Sequence, residues 1–154
     1  MRNLSRHFAV FSATLWVGGM WVIAYLAVPV LFQTLADRQL AGMLAGKLFT
    51  WMAFAGIGCA LYLLAYRFYE FGRSVWKEPV FLVIVAMLIL VVIGQFGIQP
   101  VMANMKSQAL PLDVMQSTLA PQFKELHGVA SILYRIQSLL GGLLVARLFA
   151  IKNI

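Results

Sequence analysis

The sequence predicts an all-α integral membrane protein, a single domain built as a four-helix transmembrane bundle. Of the 154 residues, 62% are hydrophobic and only 11% are charged, whereas soluble domains average ~45–50% and ~25%. Four stretches are also apolar over the ~20 residues that a helix needs to cross a bilayer. A soluble domain of this size has too little interior to bury so much apolar side chain. We therefore expect a lipid bilayer to cover the excess.

The four predicted spans follow one another along the chain and are joined by polar connections. The first and third contain no charged residue, the second contains only Lys47, and the fourth contains only Arg135. Pro79 stands where a helix can begin without losing a backbone hydrogen bond, and Asn104 stands where one can end. A short helix is expected at 112–120. The predicted spans are residues 8–32, 41–66, 80–103 and 126–146.

The distribution of Lys and Arg predicts how the spans are oriented. With four spans, the two termini and the second connection lie on one side of the membrane. That side holds seven cations, which are Arg2, Arg6, Arg67, Arg73, Lys77, Arg147 and Lys152. The other side holds four, which are Arg38, Lys47, Lys106 and Lys124. Because Lys and Arg are in excess on the cytoplasmic side, we predict cytoplasmic termini and a location in the inner membrane.

The net charge of +7 has a second interpretation, which is binding to nucleic acid. The cations are spread over both predicted faces, and the aromatic residues lie within the spans. Membrane topology therefore explains the charge better, and we predict no nucleic-acid partner.

Arg135 is the most informative residue inside the predicted spans. An arginine at the centre of a spanning helix costs ~2.5–3.5 kcal/mol on insertion scales, so such residues usually have a function. All five Asp and Glu residues lie in connections or at span ends. We therefore expect Arg135 to interact with neutral groups, water, a bound anion or another subunit.

Helical spacing groups further polar residues with Arg135. One face of the fourth span is predicted to carry His127, Ser131, Tyr134, Arg135 and Ser138, and Gln95 and Gln99 share a face of the third span. At ~1.5 Å per residue, most of these groups and Lys47 fall in the outer half of the membrane.

We predict that these groups form a polar recess open to the non-cytoplasmic side, for an anionic or carbonyl-bearing ligand such as a lipid head group or a quinone. His127 and Lys47 would form the mouth of the recess. Its walls would be Gln95, Gln99 and Ser131, and its floor would be Arg135. In the alternative interpretation, the Gln and Ser residues are interhelical hydrogen-bond partners and Lys47 extends to the interface.

Other chemical sites are not supported by the sequence. His7 and His127 lie at opposite membrane faces, ~30 Å apart, so they cannot ligate one haem. Cys59 has no Cys or His partner at ligand spacing, and no acid lies in helical register with His127. We predict no catalytic residue, no metal site and no enzyme activity, and no cofactor is predicted. A haem or quinone redox protein is kept as the weakest alternative.

Several motifs resemble a known family. The first predicted span contains two of them, Leu15-Trp16-Val17-Gly18-Gly19-Met20-Trp21 and Val28-Pro29-Val30-Leu31-Phe32. The second span contains Ala41-Gly42 with Ala45-Gly46-Lys47-Leu48-Phe49, and the fourth contains Leu126-His127-Gly128 with Ser131. Together they resemble the bacterial membrane family called domain of unknown function 4149, whose eukaryotic relatives include transmembrane protein 205. The resemblance implies a four-helix membrane protein without an established activity, so no catalytic or cofactor residue is carried over. The motif residues are Trp16, Gly18, Gly19, Pro29, Phe32, Gly42, Gly46, Phe49 and His127.

Two functions of different classes follow from these observations. In the first, the protein binds or moves a small anionic or lipid-like ligand in the recess, and transport requires a homo-oligomer. In the second, it is a structural or accessory subunit of a larger membrane complex. Arg135 and the Gly42-x-x-x-Gly46 ridge would then contact another membrane protein.

Overall fold

The structure is a computed structural model that describes residues 2–110 and 112–150, and within them every regular element is helical. Four helical stretches are long and apolar enough to cross a membrane, at Leu4–Thr34, Arg38–Lys77, Pro79–Ala109 and Ala120–Leu148. The predicted all-α fold with four helices of membrane length is thus confirmed. Two of the cations in the predicted topology, the Arg2 side chain and Lys152, lie outside the described part.

The first and third stretches are each divided into three segments. In the first, α1 (Arg2–Val22) is followed by a π-helical segment (Ile23–Ala27) and α2 (Val28–Thr34). In the third, α4 (Pro79–Val92) is followed by a second π-helical segment (Ile93–Ile98) and α5 (Gln99–Ala109). The helix therefore continues past Asn104, and the predicted end there is wrong. Ala109, in the last turn, is buried in a cluster with Met102 and Phe123, which gives this extension a packing role.

The second and fourth stretches are dominated by long α-helices. The second consists of α3 (Arg38–Phe71) and a 3-10 helix (Gly72–Lys77), and the fourth is α6 (Ala120–Ala150). The α5–α6 connection contains a short 3-10 helix at Val114–Gln116, within the region where a short helix was expected.

The helix ends follow from side-chain caps. The Asp37 carboxylate accepts hydrogen bonds from the Gln39 and Leu40 backbone N–H groups at the start of α3. Glu78 does the same for the first N–H groups of α4, where Pro79 occupies the first position as predicted. Such caps satisfy donors that the helix itself leaves unpaired. Gly72, with φ of 54°, ends α3 in a backbone conformation that favours glycine.

A proline follows each π-helical segment at the second residue of the next α-helix. Proline has no N–H donor, so it interrupts the α-helical ladder. The chain adjusts by widening the preceding turn: the Val28 N–H donates to the Ile23 carbonyl, and the Gln99 N–H donates to the Gly94 carbonyl. Both bonds reach back five residues, as in a π-helix. Pro29 and Pro100 thus reshape the first and third stretches in the same way.

The four stretches form a closed ring in which α1 and α4 each pack against both α3 and α6. The two ends of the ring are named by what lies there. At the terminal end α1 begins, α3 meets α4 and α6 ends. The opposite end is the loop end. The largest side chains of the central core are Trp16, Met20, Ile84, Met87 and Leu144, and a second apolar cluster lies near the loop end around Ile98, Met102, Ala109, Val114 and Phe123. Large apolar side chains such as Trp51 and Leu139 remain exposed on the outside of the ring, as expected of a surface covered by lipid.

A buried ion pair joins α3 to α4 at the terminal end. Arg67 donates to both carboxylate oxygens of Glu78, at 2.7 Å from Nη2 and 3.3 Å from Nε, and to Glu70 at 3.4 Å. Its guanidinium carbon lies 5.0 Å from the centre of the Phe71 ring. Because Glu78 also caps α4, one carboxylate links the end of α3 to the start of α4. The sequence predicted only a topology role for Arg67, because the pairing of Arg67 with the residue that caps α4 depends on how α3 and α4 pack.

Candidate functional site

A groove of about 490 Å³ runs along the outer surface of α6 toward the loop end. Its polar lining consists of Lys124, His127, Ser131 and Arg135, which all belong to α6. The apolar lining comes from Met115, Phe123, Gly128 and Ile132. The polar residues recur every three or four positions, so α-helical geometry alone places them on one face.

Arg135 lies at the middle of α6, and its side chain is exposed on the outside of the ring. Side chains on a helix point toward its N-terminus, so the guanidinium extends along the groove toward Ser131. Within the described part of the chain, it makes no hydrogen bond and no ion pair. The nearest carboxylate in sequence on α6, Glu125, is ten residues away, or ~15 Å along the helix axis. The positive charge of Arg135 is therefore available to a ligand.

His127 is held in the groove by aromatic stacking. The Phe123 ring lies parallel to the imidazole, with an interplanar angle of 9° and 6.0 Å between ring centres. Lys106 Nζ is 5.6 Å from the centre of the same Phe123 ring and donates a hydrogen bond of 3.1 Å to the Gly42 carbonyl. A chain of contacts thus runs from α3 through α5 to the imidazole. Ser131 donates to the His127 carbonyl at 2.8 Å, so its hydroxyl oxygen can still accept a hydrogen bond.

The structure brings together only part of the predicted recess. His127, Ser131 and Arg135 line one groove, but the other three predicted residues lie elsewhere. The Gln99 amide donates to the Gly46 carbonyl at 3.3 Å, which joins α5 to α3. Gln95 is half-buried in the second π-helical segment, and Lys47 is exposed on α3. Gln99 therefore makes the kind of interhelical hydrogen bond that the alternative interpretation describes.

Two residues predicted on the Arg135 face point into the bundle instead. The Tyr134 hydroxyl donates to the Met20 carbonyl at 2.8 Å. The Ser138 hydroxyl accepts a hydrogen bond from Tyr25 at 3.0 Å, and its carbonyl accepts one from Trp21 at 3.3 Å. Neighbouring residues on an α-helix diverge by ~100°, so Tyr134 and Arg135 cannot both face the groove. Both inward residues anchor α6 to the first stretch.

Five groove-lining residues were not predicted as part of the site, which are Met115, Phe123, Lys124, Gly128 and Ile132. The contact of Lys106 with Phe123 was not predicted either. Phe123 and Lys106 were overlooked because the predicted spans began at residue 126 and ended at residue 103. The spacing of Phe123 and His127 was nevertheless a usable signal, since residues four apart on a helix are neighbours. Met115 lies on the α5–α6 connection, whose placement against α6 is a tertiary feature without a periodic pattern.

The family motif residues before α6 mainly support helix packing. Trp16 is buried against Gly56, where an added Cβ atom would overlap the indole ring. A Cβ atom at Gly19 would come within 2.8 Å of the Met52 sulfur. Phe49 makes an edge-to-face contact with Tyr134, with 5.1 Å between ring centres. Phe32 and the Lys106 amine both face Gly42, and Gln99 faces Gly46.

Comparison with known proteins agrees with these motifs. A family model described as "Domain of unknown function (DUF4149)" matches residues 11–110. The chain belongs to this family. No match is found among curated proteins or among solved structures. The DUF4149 match covers most of α1 and all of α2 to α5 but ends before α6, so the family assignment says nothing about the groove. A relationship to transmembrane protein 205 stays a prediction.

Proposed function

We propose that this DUF4149 protein is a multi-pass membrane protein that binds an anionic ligand in the α6 groove. The observation that carries the proposal is the exposed, unpaired guanidinium of Arg135 at the middle of a helix long enough to span a membrane. A charge in this position is costly unless it is paired. An anion in the groove offsets this cost, which gives Arg135 a reason to be there.

The groove chemistry suits a carboxylate or a phosphate group. A guanidinium presents a planar set of N–H donors that matches the oxygens of either group. Lys124 adds a second positive charge, and the groove lining contains no carboxylate. His127 and the Ser131 hydroxyl supply further polar contacts. All these groups lie on the loop-end side of Arg135, in the direction in which its side chain extends.

A second copy of the chain does not offer the missing negative charge. Copies inserted in the same direction hold each residue at the same depth. A symmetric contact through this face would therefore place the Arg135 of one copy against the Arg135 of the other. The chain's five carboxylates are Asp37, Glu70, Glu78, Asp113 and Glu125. Four of them lie in a connection, at a helix cap or in an end turn, and Glu125 lies in the second turn of α6, ~15 Å along the axis from Arg135. These positions favour a ligand as the source of the anion.

The excess of Lys and Arg at the terminal end would place that end in the cytoplasm. The groove then opens to the non-cytoplasmic half of the inner membrane, where its ligand would be found. This orientation is part of the proposal and is tested separately below.

A contact with a different membrane protein is a second candidate function, and one observation favours it. Gly128, Ile132, Arg135 and Leu139 recur at intervals of four and three residues on the outside of α6, as in helices that pack in pairs. A partner helix with an acidic residue at the depth of Arg135 would fit this ridge. A haem or quinone redox role is the weaker alternative, and an absorbance spectrum of the purified protein tests it for haem.

Native mass spectrometry of the protein, purified in mild detergent, tests the proposal. We expect the wild-type protein to retain a small anionic adduct and the Arg135→Gln variant to lose it. Arg147→Gln is the matched control, because Arg147 is also an exposed arginine of α6 but lies at the terminal end, outside the groove. Wild-type protein without an adduct, or equal retention by the Arg135→Gln variant, contradicts ligand binding. A co-purifying membrane protein that depends on Arg135 supports the second candidate instead.

A further inference from the structure

The outer face of α6 changes character at Arg135. Toward the loop end it carries Lys124, His127 and Ser131. Toward the terminal end, the exposed side chains in register with Arg135, at Leu139 and Leu143, are apolar. The next charged residue in this direction is Arg147, ~18 Å away along the helix axis. The face therefore has a polar half and an apolar half, and Arg135 marks the boundary between them.

From this division we infer that the ligand is a membrane amphiphile, an acyl chain that carries a phosphate monoester. The phosphate lies in the polar half, against Arg135 and Ser131. The chain lies along the apolar stripe formed by Leu139 and Leu143. This inference rests on the proposed function, and it adds the chemical class of the ligand and its direction of approach.

The charge of the groove favours a phosphate monoester over a singly charged head group. Such a group carries about −1.5 to −2 charges at neutral pH. Arg135 and Lys124 together supply two positive charges. Lys124 is eleven residues from Arg135, or ~16 Å along the axis, so one phosphate does not contact both. Arg135 binds the phosphate directly, and Lys124 attracts it at the entrance.

The place of Arg135 on the surface favours an amphiphile over a free anion. The groove opens sideways on the outside of the ring, which lipid is expected to cover. The phosphate must give up water to reach this depth whether it is a free ion or a head group, so desolvation does not distinguish the two. An amphiphile already in the bilayer approaches laterally, and its chain keeps the phosphate close to the groove. The chain gains little further burial, because lipid tails are as apolar as the stripe.

A competition experiment tests both parts of the ligand. The protein is placed in phosphatidylcholine nanodiscs, and bound palmitoyl lysophosphatidate is measured by native mass spectrometry. We expect the Arg135→Gln variant to bind it ~10–100-fold more weakly, which is the effect of losing one charged hydrogen-bond partner. The Arg147→Gln variant should bind normally. Glycerol 3-phosphate, which has the phosphate but no chain, and monopalmitoyl glycerol, which has the chain but no phosphate, should not displace the ligand.

The outcomes separate this inference from the proposed function. Displacement by glycerol 3-phosphate at equal concentration means that a free anion binds, so the amphiphile inference is wrong while the proposed function stands. If neither phosphate compound binds, and other anions fail as well, both are wrong. Displacement by monopalmitoyl glycerol means that the chain alone is recognised, which overturns the role of the phosphate.

A cross-linking experiment tests the position of the chain without any variant. A lysophosphatidate with a photoreactive diazirine in the middle of its chain should label α6 between residues 139 and 143. The comparison surface is the exposed part of α4 around Leu82 and Ile89, which is also apolar and belongs to a helix without a charged residue. Equal labelling of the two helices would overturn the inference.

Discussion

Two arginines within the helices differ in whether the chain itself neutralises them. Arg67 is buried and donates to the carboxylates of Glu78 and Glu70. Arg135 is exposed and has no such partner among the described residues. The difference follows from depth, because carboxylates are present where α3 meets α4 but absent near the middle of α6. Arg67 therefore stabilises the fold, and Arg135 remains free for a ligand.

This contrast predicts different effects of removing each arginine. Arg67→Met leaves the Glu78 carboxylate mostly buried without its cation, and loss of one member of a buried pair costs ~3–5 kcal/mol. Arg135→Gln removes an exposed side chain without a partner and should change stability by less than ~0.5 kcal/mol. The measurement is the free energy of unfolding in a detergent titration.

The double variant Arg67→Met/Glu78→Gln provides the control for this prediction. Removing both charges removes the unpaired carboxylate, so part of the lost stability should return. Equal stability of wild-type protein and the Arg67→Met variant would contradict the structural role of this ion pair.

At the scale of the elements, close approach of α1 and α3 depends on Gly56. Trp16 is 1% exposed, and its indole ring occupies the space of a Cβ atom at Gly56. Gly56→Ala should therefore lower the free energy of unfolding by ~1–3 kcal/mol, as overpacking of a core does. The same detergent titration measures this effect.

Gly58→Ala is the matched control for this substitution on the same helix. Outside the neighbouring turns of its own helix, no atom of the described residues lies within 4 Å of a Cβ atom built at Gly58. Alanine also has a higher helix propensity than glycine, so stability should stay the same or increase. If both variants lose stability equally, then packing against Trp16 is not the cause.

The existence of the four membrane-length helices was predictable from sequence, because apolar length and proline position are local properties. The π-helical turns before Pro29 and Pro100 were not predictable. A proline in the sequence shows that the α-helical hydrogen-bond pattern is interrupted, but it does not show how the backbone adjusts. The site was predictable in part. Four-residue spacing correctly grouped His127, Ser131 and Arg135 on α6. It could not show that Gln99 bonds to Gly46 across a helix interface, because that contact depends on how the helices pack.

On the scale of the whole molecule, the two π-helical segments give the chain two similar halves. Each half has a stretch with a π-helical segment and a proline, followed by a long helix. In the ring, each proline-containing stretch also contacts the long helix of the other half. Trp21 and Tyr25 bond to Ser138 on α6, while Gln99 and Lys106 bond to carbonyls of α3. The halves are therefore held together by polar bonds on both sides as well as by the apolar core.

Orientation in the membrane is the whole-molecule property on which the side of the groove depends. The terminal end carries the predicted excess of Lys and Arg, so we expect it in the cytoplasm. Ser74 lies between α3 and α4 at the terminal end, and Gln122 lies in the first turn of α6 at the loop end; both are exposed. In a Cys59→Ala background, the thiol introduced by Gln122→Cys should react with a membrane-impermeant maleimide while the membrane that holds the protein is intact. The thiol introduced by Ser74→Cys should react only after the membrane is opened.

Labelling of a permeabilised sample controls for the reactivity of each thiol, so that protection can be attributed to the membrane. Cys59 is buried, and its replacement ensures that every signal comes from the introduced residue. The reverse pattern would place the terminal end outside the cytoplasm. The α6 groove would then open to the cytoplasmic half of the bilayer, and its lipid ligand would have to be sought in the inner leaflet. The chemistry of Arg135 and the apolar stripe would be unchanged, because both follow from the fold and not from its direction in the membrane.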